Sequence, residues 1–303
     1  MSAADSRYDE APAEMEAYCN RCWNTVSSET LPRCACGHER GKDKWPSLGR
    51  YEVGGKWRLV DFLGRGAMGA VFKVERVRKA SSKADVKPAY YAMKLLALEK
   101  GDDEEHARKA FSYELRVAGL LGREVEQAAN IVTVADVHDS GDVDDVSYMV
   151  MELVQARTLD KILEPARGTR RTLSELDAAR VGVPVLRALE GVHRIRFRHN
   201  DLKPGNVFVA EVVPGGALKL VEREGHWECD AKLADFGVSA EVQTHTLKKG
   251  EARRILGTPE YMSPEQLDGK KVSDPSDLHA VGSVLWECVT GEFPFGFNRR
   301  VPW

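Results

Sequence analysis

From Trp57 to Val154 the chain is written in short β-rich runs, and beyond Val154 it turns mainly helical. The runs "WRLVDFLG", "AVFKVERV", "YYAMKLLAL" and "VSYMVMELV" are each bounded by Gly, Asp or Lys-rich punctuation, which reads as strands. Between them, Glu104 to Leu121 places Ala107, Phe111, Leu115 and Ala118 at helical spacing. In the second half, "RTLSELDAARVGVPVLRALEGVH" opens with Thr172 and Glu175 at capping-box spacing, and Pro184 predicts a kink. "SPEQL" offers Ser263 as a cap, Pro264 at the first helical position and Gln266 at the third. Leu278 to Val289 is apolar almost all round and predicts a buried helix. A pattern that switches period once predicts an α+β chain with two lobes, one β-rich and one α-rich.

The 303 residues leave room for such a pair with a small appendage, and 43% hydrophobic is ordinary for a globular chain. Forty-four basic against 47 acidic side chains argue against nucleic acid or an anionic membrane as the main partner. Apolar runs such as "AVGSVLWECV" are too short to span a bilayer, and "MSAADSRYDE" lacks the basic and apolar regions of a secretion signal, so a cytoplasmic location is expected. Four of the six cysteines crowd into Cys19–Cys36 while Cys229 and Cys288 stand alone, which is not the spread of a secreted disulfide framework.

Individual residues suggest chemistry. Gly64, Gly66 and Gly69 form G-x-G-x-x-G before Val71. A dinucleotide-binding fold uses the same letters, but there the third glycine opens a helix, whereas here a β-rich run follows. The glycines therefore belong to a hairpin that can lie over phosphates. Lys94 sits in an otherwise apolar strand, where an ammonium is costly unless neutralised, and Glu114 projects from the inward face of the helix. The expectation is a Lys94–Glu114 pair; the alternative is an edge lysine and a solvated glutamate. Farther on, Asp201 can accept a proton from a hydroxyl, Lys203 can neutralise a phosphoryl group, and Asn206 and Asp235 offer hard oxygen ligands suited to Mg²⁺.

In order, "GRGAMGAV", "YAMK", "HNDLKPGN", "DFG" and "GTPEYMSPE" resemble the motifs of the eukaryotic-type protein kinase family, from about Trp57 to the C-terminus. "DLKPGN" and "GTPEY" are similar to its serine/threonine branch. The resemblance implies a two-lobed kinase fold using ATP and Mg²⁺ on protein substrates. It implies that Lys94 contacts the α and β phosphates, Glu114 holds Lys94, Asp201 orients and deprotonates the substrate hydroxyl, and Asn206 with Asp235 binds the metal. Lys203 would steady the γ-phosphoryl group. Val71 and Ala92 would roof the adenine and Phe208 floor it, with Met151 as gatekeeper and Glu152 to Val154 supplying hinge hydrogen bonds.

Three departures stand out. Asn200 replaces the arginine that in the family helps recognise a phosphorylated activation segment. A competent site without that clamp is expected, with Thr244 and Thr246 as candidate phosphorylation sites and Lys248, Lys249, Arg253 or Arg254 as alternative partners. The insertion "VVPGGALKLVEREGHWECD" reads as a longer hairpin turning at Gly215 and Gly216. The chain ends at Trp303, where the family continues through further helices, so Leu285, Trp286 and Phe295 are expected to form an open apolar patch that a partner could cover.

Cys19 and Cys22 form C-x2-C, and Cys34 and Cys36 form C-x-C, a spacing suited to a structural Zn²⁺ and similar to short zinc ribbons ahead of some bacterial kinases. His38 is a substitute ligand, and unligated thiols in a loose tail are the alternative. The expected organisation is a disordered segment 1–17, a ribbon 18–40, a linker 41–50, a β-rich lobe 51–154 and an α-rich lobe 155–303 lacking its last helices. The leading function is a protein serine/threonine kinase. Its rivals are a kinase-like module that binds nucleotide or partners without transfer, and a small-molecule phosphotransferase, against which "GTPEYMSPEQL" argues.

Overall fold

The computed structural model describes residues 17–27, 33–36, 38–40, 46–66, 69–77, 88–98, 104–124, 128–140, 146–164, 171–211, 217–223, 225–236 and 258–294. They form two units, one holding the described residues up to Phe111 with Asp136–Leu153, the other Ser112–Ala135 with the residues from Val154 onward.

In the first unit, β1 (Ala17–Tyr18) pairs with β2 (Thr25–Val26) around the cysteines. A six-stranded sheet follows from β3 (Glu52–Val53), β4 (Trp57–Gly66), β5 (Gly69–Arg76), β6 (Tyr90–Leu96), β7 (Val134–His138) and β8 (Tyr148–Glu152), in the order β3-β4-β5-β6-β8-β7. Alternation along β5 and β6 turns Phe72, Val74, Met93 and Leu95 into the core, each fully or almost fully buried. Burying such a side chain stabilises the fold by ~1.5–3 kcal/mol. Val71 and Lys94 are cross-strand partners and share the opposite face.

Pro46, Ser47 and Leu48, in the segment expected to act as a linker, are buried, whereas Gly49 and Arg50 are exposed. Tyr18 N–H donates to Pro46 C=O at 2.7 Å, Ser47 bridges Ala17, and Leu48 is buried in the sheet's core. Tyr18 and Trp23 lie in that same core, so ribbon and sheet share one hydrophobic interior.

The helix α1 (Glu104–Glu124) forms where apolar spacing predicts it and runs on three residues beyond Leu121. Its later part belongs with the second unit because Val117 and Leu121 join that unit's core. There, β9 (Arg157–Thr158) leads into α2 (Leu159–Leu163), and α3 (Glu175–Arg194) is the long helix. Ser174, not Thr172, caps α3: its Oγ accepts from Asp177 N–H at 3.1 Å. Pro184 lies inside the helix.

The strands β10 (Val207–Val209) and β13 (Ala231–Leu233) pair with each other, and the insertion between them carries its own hairpin of β11 (Leu220–Arg223) and β12 (His226–Cys229). The described turn of that hairpin is at Gly225, in the left-handed region at φ 78°, while Gly215 and Gly216 lie outside the described residues. Buried Glu228 ties the hairpin to Arg223 and to Arg187 of α3.

The short helix α4 (Pro264–Leu267) begins in the expected capping box, with both Ser263 and Gln266 bonds present. The helix α5 (Asp274–Thr290) starts a turn before Leu278 and is not buried all round. Leu278 and Trp286 are half exposed, whereas Leu285 packs partly against the core and Phe295 lies outside the described residues. No described helix is long and apolar enough to cross a membrane.

Candidate active site and metal centre

The first unit supplies a glycine-edged strand pair and a buried lysine. A Cβ at Gly69 would stand 2.6 Å from the Leu95 carbonyl and 3.2 Å from Lys94 Cγ, so only glycine lets β5 approach β6 there. A Cβ at Gly64 or Gly66 would meet nothing within 4 Å, so packing does not explain either of them. Lys94 is 7% exposed, an interior in which a charge needs compensation. Glu114, 3% exposed, lies on the part of α1 that belongs to the second unit. Ala92 is buried and stands opposite Met151 across the strand pair, with Glu152 next along β8.

The second unit assembles a polar turn. His199 is fully buried, and its Nε2 lies 2.9 Å from the Ala234 carbonyl. A carbonyl only accepts, so Nε2 carries the proton and Nδ1 is left to receive Asp201 N–H at 3.3 Å. Asp277, from the first turns of α5, accepts His199 N–H at 3.0 Å on Oδ2 and Asn200 N–H at 2.9 Å on Oδ1. Its Oδ2 also shares a 2.7 Å hydrogen bond with His193 Nε2. Burial alone would raise the Asp277 carboxyl, but the His193 bond and the two backbone amides hold it below the usual carboxylate range.

Asn200 takes a left-handed backbone, φ 62°, and its carbonyl accepts Gln266 Nε2–H at 2.9 Å. Lys203 Nζ donates to Asp201 Oδ2 at 2.7 Å. Asn206 is 5% exposed and donates Nδ2–H to the Asp201 carbonyl at 2.8 Å. That bond leaves the Asn206 Oδ1 as the free hard oxygen a divalent cation prefers. Ala234 N–H donates to Asn206 C=O at 2.9 Å, so the β10–β13 pairing sets Asp235 beside the turn despite the insertion. Phe208 lies on β10, half-buried, as is Val154.

Cys19, Cys22, Cys34 and Cys36 bring their sulfurs within 4.8 Å of one another, with Cys19–Cys36 at 3.8 Å and Cys22–Cys34 at 3.6 Å. Zn–S bonds of about 2.3 Å at tetrahedral angles put sulfurs roughly 3.8 Å apart. All four are free thiols. The neighbouring Cys19 thiol, then burial, pushes the Cys22 thiol well up, so ionised sulfurs here need a cation among them. His38 is not in the cluster; its carbonyl accepts Cys34 N–H at 2.9 Å and closes the second turn.

Residues 57–301 match the family model described as "Protein kinase domain". The chain belongs to the protein kinase family. A probable serine/threonine-protein kinase of Clostridium perfringens is 30% identical over 249 residues, covering 82% of this chain and 31% of that protein. The serine/threonine-protein kinase PksC of Streptomyces coelicolor is 31% identical, with 82% and 39% covered. For PrkC of Bacillus subtilis the identity is 27%, with 82% and 32% covered. The kinase chain thus spans about a third of the length of several curated relatives. A crystal structure of another kinase domain superposes with a TM-score of 0.58 at 19% identity, covering 83% of this chain and 70% of that one, and supports the fold.

Two residues that shape the turn around Asp201 escape a reading by local motif: Asp277 and Gln266. The available signal for Asp277 was an acidic residue at the start of an apolar helix, where only a buried set of donors could hold it. Glu265 accepts the Ser276 hydroxyl.

Proposed function

We propose that the chain transfers the γ-phosphoryl group of ATP to serine and threonine hydroxyls of protein substrates. The reading is carried by the turn in which Asp201, Lys203 and Asn206 are locked to each other and, through Ala234, to Asp235. In this reading the Asp201 carboxylate takes the hydroxyl proton as the oxygen–phosphorus bond forms and the bond to ADP breaks. The Lys203 ammonium offsets charge on the moving phosphoryl group. Asn206 and Asp235 would hold Mg²⁺, which supplies charge neutralisation on the phosphates when bound. By the family resemblance Lys94 would contact the α and β phosphates and Glu114 would be its counter-charge, and the open space at Gly64 and Gly66 would admit the triphosphate beside backbone N–H groups. Val71, Ala92 and Phe208 would enclose the adenine, with Met151 as gatekeeper and Glu152 to Val154 as the hinge.

The sulfur spacing supports one structural Zn²⁺ at Cys19, Cys22, Cys34 and Cys36, with four protein ligands and hence no open catalytic position. Free thiols and the use of ATP fit a cytoplasmic location.

Labelled ATP with a generic protein substrate, followed by phosphoamino-acid analysis, tests the reading. Label on serine and threonine that EDTA abolishes is expected. ATP binding without transfer to any protein would replace it with a kinase-like binding module.

A further inference from the structure

Described residues of the cysteine module make several contacts with β4, β5 and the end of β6. Trp23 closes the first turn, its N–H donating to Cys19 C=O at 2.7 Å with a left-handed φ of 53°. Its ring packs edge-on to Phe72, and its Nε1–H donates to the Leu96 carbonyl at 3.1 Å in a buried contact. Leu98 N–H donates to Arg21 C=O at 2.9 Å, and Arg65, one residue before Gly66, donates to Cys22 C=O. Tyr18 lies edge-on against Phe72, centroids 5.1 Å apart, and beside Phe62 at 5.8 Å. Arg21 also pairs with Glu104, the first residue of α1, at 2.8 Å. All these contacts lie within the first unit.

Three elements are therefore touched: the glycine-edged β4–β5 hairpin, the exit of the Lys94 strand, and the start of the helix that carries Glu114 ten residues, or about 15 Å, farther on. The module meets the Phe72 face of the sheet, opposite the face shared by Val71 and Lys94. It can thus set the strands' positions without obstructing a nucleotide. The backbone atoms that make the bonds belong to Arg21 and Cys22, inside the Cys19–Cys22 turn, so whatever fixes that turn fixes the bonds.

We propose that Arg21 and Trp23 are positioning residues for the nucleotide site, and that a metal on the four cysteines holds them in place, so that metal loss loosens the hairpin, the lysine strand and the start of α1 together. This rests on the kinase and metal readings above. A solvated Arg–Glu pair alone contributes little; the backbone and indole bonds carry the coupling, and Arg21 adds orientation.

The test uses the full chain. Zinc is quantified by atomic emission, ATP affinity by calorimetry with Mg²⁺, and KM for ATP and for the protein substrate by steady-state kinetics. An Arg21→Ala/Trp23→Phe double variant, which removes the guanidinium and the indole N–H but keeps an aromatic ring, is expected to retain one zinc. Its ATP affinity should fall roughly 5- to 10-fold, with KM for the protein substrate unchanged. Arg21→Lys should remain near wild type. Chelation of the wild-type chain should give a similar loss, reversed by added zinc, and should speed hydrogen exchange at the Leu98 amide. A double variant with full zinc and wild-type ATP affinity overturns the proposal while leaving both earlier readings intact. A wild-type chain that holds no metal overturns the proposal together with the metal reading. If zinc and ATP bind but no phosphate is transferred, only the kinase reading falls, and the affinity loss in the variant still supports the positioning role.

Discussion

Asp277 accepts two consecutive backbone amides and shares a bond with His193, so a residue that shapes the turn leading to Asp201 is not in it. Replacing it with alanine strands two backbone donors; at ~1–3 kcal/mol each, Asp277→Ala should lose about 2–6 kcal/mol in denaturant unfolding. Because the folded carboxyl titrates below its unfolded value of about 3.9, its stabilisation is present above that pH and fades as pH falls through the lower folded value. Unfolding midpoints of the wild type should therefore drop across that acid range while those of Asp277→Asn stay flatter. At Lys94 and Asp201 the expectation is chemical: Lys94→Ala and Asp201→Asn should each cut phosphotransfer by about 10²-fold or more with circular dichroism unchanged. Near wild-type turnover in either would refute the assigned roles. Asp201, Lys203 and Asn206 were legible because their partners lie within five residues. Asp277 was not, since it acts across 77 residues on Asn200, a separation no local motif encodes. Thr244 and Thr246 lie outside the described residues. With no guanidinium at Asn200, their joint replacement by alanine is expected to lower activity only modestly.

Among the elements, the β4–β5 hairpin separates two uses of glycine. Gly69→Ala drives a Cβ against the Leu95 backbone and should cost ~1–3 kcal/mol of stability. Gly66→Ala meets no protein atom and should change stability by less than about 0.5 kcal/mol while raising KM for ATP. Equal melting temperatures for the two variants would contradict this division. The helices and strands were largely legible because their periodicities are local. The cap of α3 was misplaced because Thr172 and Ser174 both precede an acidic residue at the right spacing, and only the Asp177 amide distinguishes them. The insertion read correctly as hairpin-forming, yet nothing in its letters showed that Glu228 would be buried against Arg187 and Arg223.

For the whole molecule, the shared interior of ribbon and sheet changes what a truncation should do. Removing residues 1–40 uncovers Phe72 and takes away the fully buried Tyr18 and Trp23, at ~1.5–3 kcal/mol or more for each aromatic. The truncated chain should melt at least about 5 °C lower than the full one by calorimetry. An unchanged melting temperature would show that the ribbon is an independent appendage. This docking was not legible, because Tyr18 and Trp23 sit in a segment too short to show a period and the partners of their rings lie beyond residue 50. Among the described residues the ribbon's own buried cluster is Ala17 and three cysteines, a small apolar surface. The ribosome delivers Cys19 about 80 residues before Leu98, which at roughly 5–20 residues per second is an interval of about 4–16 s. Through that interval the thiols emerge without the strands that bury them. Until the sheet follows, the nascent chain passes through a window in which its four sulfurs lack that cover against oxidants and competing ions.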